Sequence, residues 1–189
     1  MSKHTAVFAL GAALAISATA TADVREFEIS LSAAPSVDSF GDSDNYAELF
    51  DINAALGLPA GSPVSVLAIG YDLDIETIGD SYLADVLFHF DDADAALPPS
   101  SAAFEINPGF GDEMTGSMGY ASPMTDLSSA LSLSSGSLYF ELYEDFDDTF
   151  GEAEAFVGGT ITLRVDVIPA PATLAAFGLF AGVAARRRR

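Results

Sequence analysis

The sequence predicts an all-β protein, an antiparallel β-sandwich of the jelly-roll kind, flanked by a signal helix at the N-terminus and a short hydrophobic helix at the C-terminus. Two observations predict this class. Several short segments alternate apolar and polar residues with a period of two, and stretches rich in glycine, proline and serine separate them. The chain has no cysteine, so its fold depends on packing and not on disulfides.

The predicted sandwich spans residues 23–167, which is long enough to bury about two-thirds of the surface of the unfolded chain. Its clearest strand is Thr160–Val167, in which every second residue is apolar. Val86–Phe90 is largely apolar on both faces and is typical of a central strand. The other alternating segments are Arg25–Leu31, Leu67–Glu76 and Leu138–Leu142.

Two segments of this region have a less definite pattern. Tyr46–Leu56 begins like a capped helix, with Asn45 and Glu48 placed as in a capping box, but its apolar residues alternate as in a strand. We favour the strand. Asp112–Ser135 is rich in glycine, serine and methionine, and we expect it to be a long surface loop.

Residues 1–22 have the three parts of a secretory signal peptide. A positive start with Lys3 precedes a short apolar run, and small residues close the segment. We expect cleavage near Ala20 or Ala22. An uncut membrane anchor is the alternative, but the apolar run is short for a span.

Residues 168–189 predict a second membrane-directed segment. An uncharged stretch, Ala172–Ala185, is followed by four arginines, Arg186, Arg187, Arg188 and Arg189. As a helix it covers roughly 21 Å, which is less than the ~30 Å of a bilayer core. The arginines favour a cytoplasmic C-terminus, which leaves the preceding domain outside. Membrane anchoring through this helix is therefore expected, and it is permanent or, where the tail is removed, transient.

The tail resembles the PEP-CTERM sorting signal, in which a short proline motif precedes an apolar helix and a terminal arginine cluster. The motif here departs from the usual Val-Pro-Glu-Pro-Ala-Thr at two positions, with Ile168 in place of valine and Ala170 in place of glutamate. The resemblance implies export by signal peptidase and an exosortase-type membrane enzyme, in a Gram-negative bacterium that makes exopolysaccharide. Pro169, Pro171, Ala172 and Thr173 match the motif, and Ala170 occupies the position of its glutamate.

The domain between the two ends is also similar to the lumenal part of many PEP-CTERM proteins and to the jelly-roll P-domain of secreted proproteins. The resemblance rests on strand and turn segments. It implies a jelly-roll-like sandwich and no particular activity. The segments are Ile69–Leu73, Ser81–Val86, Phe146-Asp-Asp and the closing Gly-Thr-Ile-Thr-Leu strand.

Charge restricts the partners of this protein. Its formal net charge is −21, and between residues 23 and 167 only Arg25 and Arg164 are basic, against all 28 acidic residues. Nucleic acid and anionic lipid bind through lysine and arginine, so we expect no nucleic-acid partner for the domain.

Clustered carboxylates favour a solvated acidic face that keeps the protein soluble. The alternative interpretation is a structural calcium site between loops, because calcium takes six to eight hard oxygen ligands. The candidate ligands are Asp91, Asp92 and Asp94, or Asp145, Asp147 and Asp148.

Two tyrosines predict a carbohydrate-binding alternative. Tyr139 and Tyr143 share the face opposite Phe140, and a flat pair of rings would stack on a sugar. Ordinary cross-strand packing is the other interpretation. A secreted glycoside hydrolase is the least favoured alternative, since a pair of carboxylates is expected by chance among so many.

No catalytic residue is predicted. His89 is the one histidine between residues 23 and 167, and no Gly-x-Ser-x-Gly motif accompanies it. We therefore expect a non-catalytic protein that is exported to the cell surface or extracellular matrix and is associated with exopolysaccharide there.

Overall fold

The computed structural model describes residues 23–94, 99–100, 102–146 and 151–167, and the fold follows from these ranges. They form two four-stranded antiparallel sheets, so the prediction of an all-β antiparallel sandwich is confirmed. The strands are β1 (Asp23–Ser36), β2 (Tyr46–Asp51), β3 (Val64–Thr77), β4 (Val86–Asp92), β5 (Phe104–Ile106), β6 (Ser117–Leu133), β7 (Ser137–Glu144) and β8 (Ala155–Val167).

The strand order identifies the topology. Sheet A has the order β1-β8-β3-β6, and sheet B has the order β2-β7-β4-β5. The first strand pairs with the last, the second with the seventh, the third with the sixth and the fourth with the fifth. This is one long hairpin folded over into two facing sheets, which is the arrangement of an eight-stranded jelly roll.

The predicted alternation places the core between the sheets. In β8 the residues Ile161, Leu163 and Val165 are fully buried, and their polar neighbours face outward. Phe140 of β7 lies at the centre of sheet B, where its ring contacts four other aromatic rings at centroid distances of 5.3–6.3 Å. These rings belong to Tyr46, Phe50, Phe88 and Phe90.

Strand β6 corrects one prediction, because it occupies most of the segment that was expected to be a loop. It runs for 17 residues along the edge of sheet A and pairs with β3. Most of its side chains are exposed, so no apolar alternation marks it in the sequence. Pro123 lies where the register with β3 shifts between Ile69 and Tyr71, and an edge strand tolerates such a residue.

The ambiguous segment Tyr46–Leu56 contains both structures. Strand β2 ends at Asp51, and a short helix, α1 (Ile52–Leu56), follows directly. The Asp51 carboxylate accepts a hydrogen bond from Ala54 N at 2.9 Å and caps the helix. The expected cap residue Asn45 instead donates from Nδ2 to Ser39 O at 2.9 Å, which is a loop contact.

Both ends of the described domain meet at one corner of sheet A. Asp23 at the start of β1 is the register partner of Val167 at the end of β8. The predicted terminal helices, residues 1–22 and 168–189, lie outside the described residues. Within the described ranges, no helix combines the length and the apolar character that crossing a membrane requires.

The Gly158–Gly159 pair in β8 provides a test of this packing. Gly159 has φ +112°, and a Cβ atom there would lie 2.2 Å from Asp72 O, whereas a Cβ at Gly158 would meet no atom within 4 Å. We expect Gly159→Ala to lower the free energy of unfolding by about 3 kcal/mol, through strain and overpacking. Gly158→Ala is the matched control, with an expected change below about 1 kcal/mol. Urea unfolding of both variants measures this, and equal stabilities would contradict the described contact.

Candidate functional site

A loop covers the outer face of sheet B. Residues 37–45 connect β1 to β2 and bring Phe40 over the sheet. The Phe40 ring lies 4.4 Å from the His89 ring and 5.4 Å from the Tyr143 ring, measured between centroids. The loop thereby buries polar residues that would otherwise face solvent.

Glu141 of β7 holds this loop in place. Its side chain is fully buried, and its Oε1 accepts hydrogen bonds from Gly41 N at 2.7 Å and Asn45 Nδ2 at 2.9 Å. Its Oε2 accepts from the Tyr139 hydroxyl at 2.5 Å. Three neutral donors therefore replace the water that this carboxylate loses on burial.

His89 of β4 lies beside Glu141 in the β4–β7 register and beside Glu105 in the β4–β5 register. Its Nδ1 is 3.2 Å from Glu105 Oε1, which also accepts from the Tyr143 hydroxyl at 3.0 Å. Its Nε2 has no hydrogen-bond partner and is 4.0 Å from Asp91 Oδ2. The imidazole is buried in the sheet.

The hydroxyl nearest to this histidine cluster does not have the arrangement of a nucleophile. Ser100 donates its backbone N–H to Asp91 Oδ2 at 2.6 Å, and its hydroxyl donates to Asp91 Oδ1. In a Ser-His-Asp triad the histidine lies between the serine and the acid. Here the acid lies between the serine and His89, so these three residues do not form that triad.

The predicted ligands Asp91, Asp92 and Asp94 each bind protein donors. Asp91 binds Asp92 N at 2.7 Å as well as Ser100. Asp92 Oδ2 accepts from Ser134 N at 3.1 Å, and Asp94 Oδ2 accepts from the Ser134 hydroxyl at 2.8 Å. Among the described residues these three carboxylates do not come together as a metal-ligating group. They instead cap the turn after β4.

The other predicted ligand group is only partly described. Asp145 is exposed and follows β7, with its backbone N–H bonded to Asp85 O at 2.8 Å. Asp147 and Asp148 lie outside the described residues, as do all the predicted sorting-signal residues. Calcium binding by this group therefore stays a prediction.

Tyr139 and Tyr143 lie on the outer face of sheet B opposite Phe140, but they do not form the expected flat platform. Tyr143 is buried beneath Phe40, with 7% of its surface exposed. Both hydroxyls are bound to carboxylates, and burial followed by these contacts raises the pKa of each phenol. Loop 37–45 covers the ring that a sugar would need.

An acidic group that the sequence analysis did not select lies in this same loop. Carboxylate oxygens of Asp38, Asp42 and Asp44 lie within 4.8 Å of one another. Asp38 is buried, and its Oδ1 accepts from Gly151 N at 3.0 Å. Three acids within seven residues were the available signal, but only the fold of the loop brings Asp38 to the other two.

A second unpredicted group lies at the end of the sandwich, next to loop 37–45. Glu144 ends β7, is fully buried, and receives a hydrogen bond at Oε2 from the Ser81 hydroxyl at 3.3 Å. Burial, together with the charges of Glu154 and Asp85, raises the pKa of Glu144 to about 8, although Ser36 and Ser81 act in the opposite direction. This carboxyl group has the environment that functional carboxyl groups often have.

A groove of about 420 Å³ opens on sheet A. Asp74 and Glu76 of β3 line it together with the apolar side chains of Met118 and Phe156. The two acids are neighbours on one strand, so they do not flank a bound substrate from opposite sides as glycosidase carboxylates do.

Comparison with known proteins identifies no family. No family model matches the chain, and no curated protein matches it. Among solved structures, the chain matches a nodavirus of the prawn Macrobrachium rosenbergii at 11% identity and a TM-score of 0.34, covering 90% of this chain and 94% of that one. Turnip yellow mosaic virus matches at 8% identity and a TM-score of 0.32, covering 88% and 90%. Cocksfoot mottle virus matches at 12% identity and a TM-score of 0.28, covering 89% and 99%.

Removal of the Glu141 carboxylate should loosen loop 37–45. We expect Glu141→Ala to speed amide hydrogen exchange in residues 37–45 by roughly 10–100-fold, because the loop loses its buried acceptor. Glu48→Ala, on the exposed part of β2, is the control and should leave the loop unchanged. Unchanged exchange in Glu141→Ala would show that this carboxylate does not hold the loop.

Glu144 predicts a pH dependence of stability. The folded state retains its proton up to about pH 8, whereas the unfolded chain releases it near pH 4.5, so raising the pH between these values removes stability. In buffer without divalent cations, we expect the free energy of unfolding of the wild type to fall over this pH range by roughly 3–5 kcal/mol more than that of Glu144→Gln. Glu152→Gln, which alters an exposed acid of equal charge, is the control. Parallel curves of unfolding free energy against pH for wild type and Glu144→Gln would contradict the prediction.

Proposed function

We propose that this chain is an exported, non-catalytic protein of the cell surface or extracellular matrix. Its β-sandwich is the acidic cargo that two sorting segments direct across the inner membrane. Signal peptidase removes residues 1–22, and an exosortase-type enzyme acts at the proline motif that begins residues 168–189. The mature domain then associates with exopolysaccharide outside the cell.

The pairing of Asp23 with Val167 is the observation that supports this route best. These residues are register partners at one corner of sheet A, so the segments before and after the domain leave it at the same place. Adjacent exits from the domain suit processing of both segments at one membrane.

The charge distribution supports a role in a hydrated acidic matrix. Both arginines of the described domain already bind acids of the same chain, Arg25 with Asp23 and Arg164 with Asp126. The remaining surface carries acids along the outward positions of β1 and β3, such as Glu28 and Asp72. Such a surface attracts water and cations and repels nucleic acid.

The proline motif offers a direct test of the route. Ala170 stands where the resembling family has glutamate, so Ala170→Glu should speed removal of the tail, and Ala170→Gln is the control of equal size without the charge. Separate tags on the domain and on the C-terminus, followed by membrane and extracellular fractionation, measure the removal. Replacing Arg186–Arg189 with alanine should leave the tailed form uncleaved. Recovery of one cytosolic species that carries both tags would overturn the proposal.

A further inference from the structure

Strand β6 is a long edge strand with one unpaired side. It ends sheet A, so one side pairs with β3 and the other side meets no strand among the described residues. An unpaired edge presents backbone N–H and C=O groups at alternate residues, and these groups can pair with a strand of another chain. Ser117, Met118, Gly119 and Ala121 are exposed, which leaves the start of this edge open to solvent.

The first six residues of β6, Ser117–Ser122, form its regular part. They pair one against one with Tyr71–Glu76 of β3. The shifts in register between the two strands lie beyond Ser122, and irregularities of this kind normally protect an edge from further pairing. The six-residue segment has neither such a shift nor a proline, so it keeps the backbone spacing that a further antiparallel strand needs.

The same segment is uncharged, which distinguishes it from the other sheet edges of this acidic domain. Strand β6 as a whole has one charged residue, Asp126, and that carboxylate is bound to Arg164. On the opposite edge of sheet A, β1 has Glu26 and Glu28 at exposed positions. In sheet B, β2 has exposed acids and β5 is only 3 residues long. Charged or very short edge strands resist pairing, and Ser117–Ser122 lacks both protections.

We propose that two copies of this chain associate through Ser117–Ser122, with the two β6 strands antiparallel and sheet A continuous across both copies. Antiparallel pairing of one strand with its own copy is self-complementary, as a two-fold dimer requires. A formal net charge of −21 keeps most surfaces of two copies apart. An uncharged edge with free backbone groups is therefore where a second copy can approach. This inference does not depend on the export route.

Strand spacing explains why the acids of β3 permit this contact. Asp72, Asp74 and Glu76 are exposed, but they lie on the strand behind the edge. In the paired dimer the two β3 strands are three strand spacings apart, about 14 Å. This separation exceeds the Debye length of about 8 Å at physiological ionic strength. Pairing through β1 would instead bring Glu26 and Glu28 to within about 5 Å of the same strand of the other copy, where like charges repel.

Sedimentation equilibrium of the purified full chain, in a density-matched detergent at physiological ionic strength, tests the association. We expect the wild type to dimerise with a Kd of roughly 10–100 µM, because one pair of strands makes a small interface. Ala121→Glu places an acid on the edge itself and should raise the Kd by at least about tenfold. Ala121→Gln adds a side chain of nearly equal size without the charge, and its Kd should stay close to that of the wild type.

Ser30→Glu is the control for position, because it makes the same change of charge at an exposed residue of β1. Its Kd should equal that of the wild type. Amide hydrogen exchange in residues 117–122 should slow as the protein concentration rises, and exchange in residues 23–31 should not. A wild type that stays monomeric at about ten times the expected Kd would overturn the proposal. Equal Kd values for the wild type and Ala121→Glu would also overturn it, because the copies would then meet at another surface.

Discussion

The scarcity of cations within an acidic domain determines most of this structure. Two arginines stand among 28 acidic residues between positions 23 and 167, so buried carboxylates must find neutral donors. Glu141 accepts hydrogen bonds from a backbone N–H, a side-chain amide and a phenol. Asp91 accepts hydrogen bonds from two backbone N–H groups and a hydroxyl. Each set of donors also joins separate segments, because Gly41 and Asn45 bind Glu141, and Ser100 binds Asp91, from outside the strand of the acid.

Glu144, at the end of the sandwich, departs from this pattern. The Ser81 hydroxyl binds its Oε2 at 3.3 Å, Ser36 also acts to lower its pKa, and its Oε1 is buried without a hydrogen-bond partner. Leaving a buried acceptor unsatisfied costs stability without a packing benefit. The same scarcity of basic side chains therefore makes Glu141 a structural anchor and leaves Glu144 as a buried acid whose raised pKa couples its ionisation to folding.

The sequence was informative where burial follows a local period and uninformative where contacts are long-range. The alternation in Thr160–Val167 predicted the inward face of β8, because the apolar residues of this segment are the buried ones and their neighbours are less buried. Strand β6 was not predicted, because an exposed edge strand needs backbone pairing but no apolar side chains. The tyrosine platform failed because loop 37–45, far away in the chain, folds over Tyr143. Ser36 and Glu144 meet only because the jelly-roll topology brings the ends of β1 and β7 together.

The ionisation of Glu144 is the property that tests this account most directly. Carbon-detected NMR titration of the glutamate carboxyl groups, in buffer without divalent cations and with Glu144→Gln to assign the resonance, measures it. An uncompensated buried carboxyl predicts a titration midpoint for Glu144 near the pKa of about 8 that its surroundings impose. A midpoint near the ordinary value of about 4.5 would contradict the account, because it would show that the carboxylate is already neutralised or solvated in the folded protein.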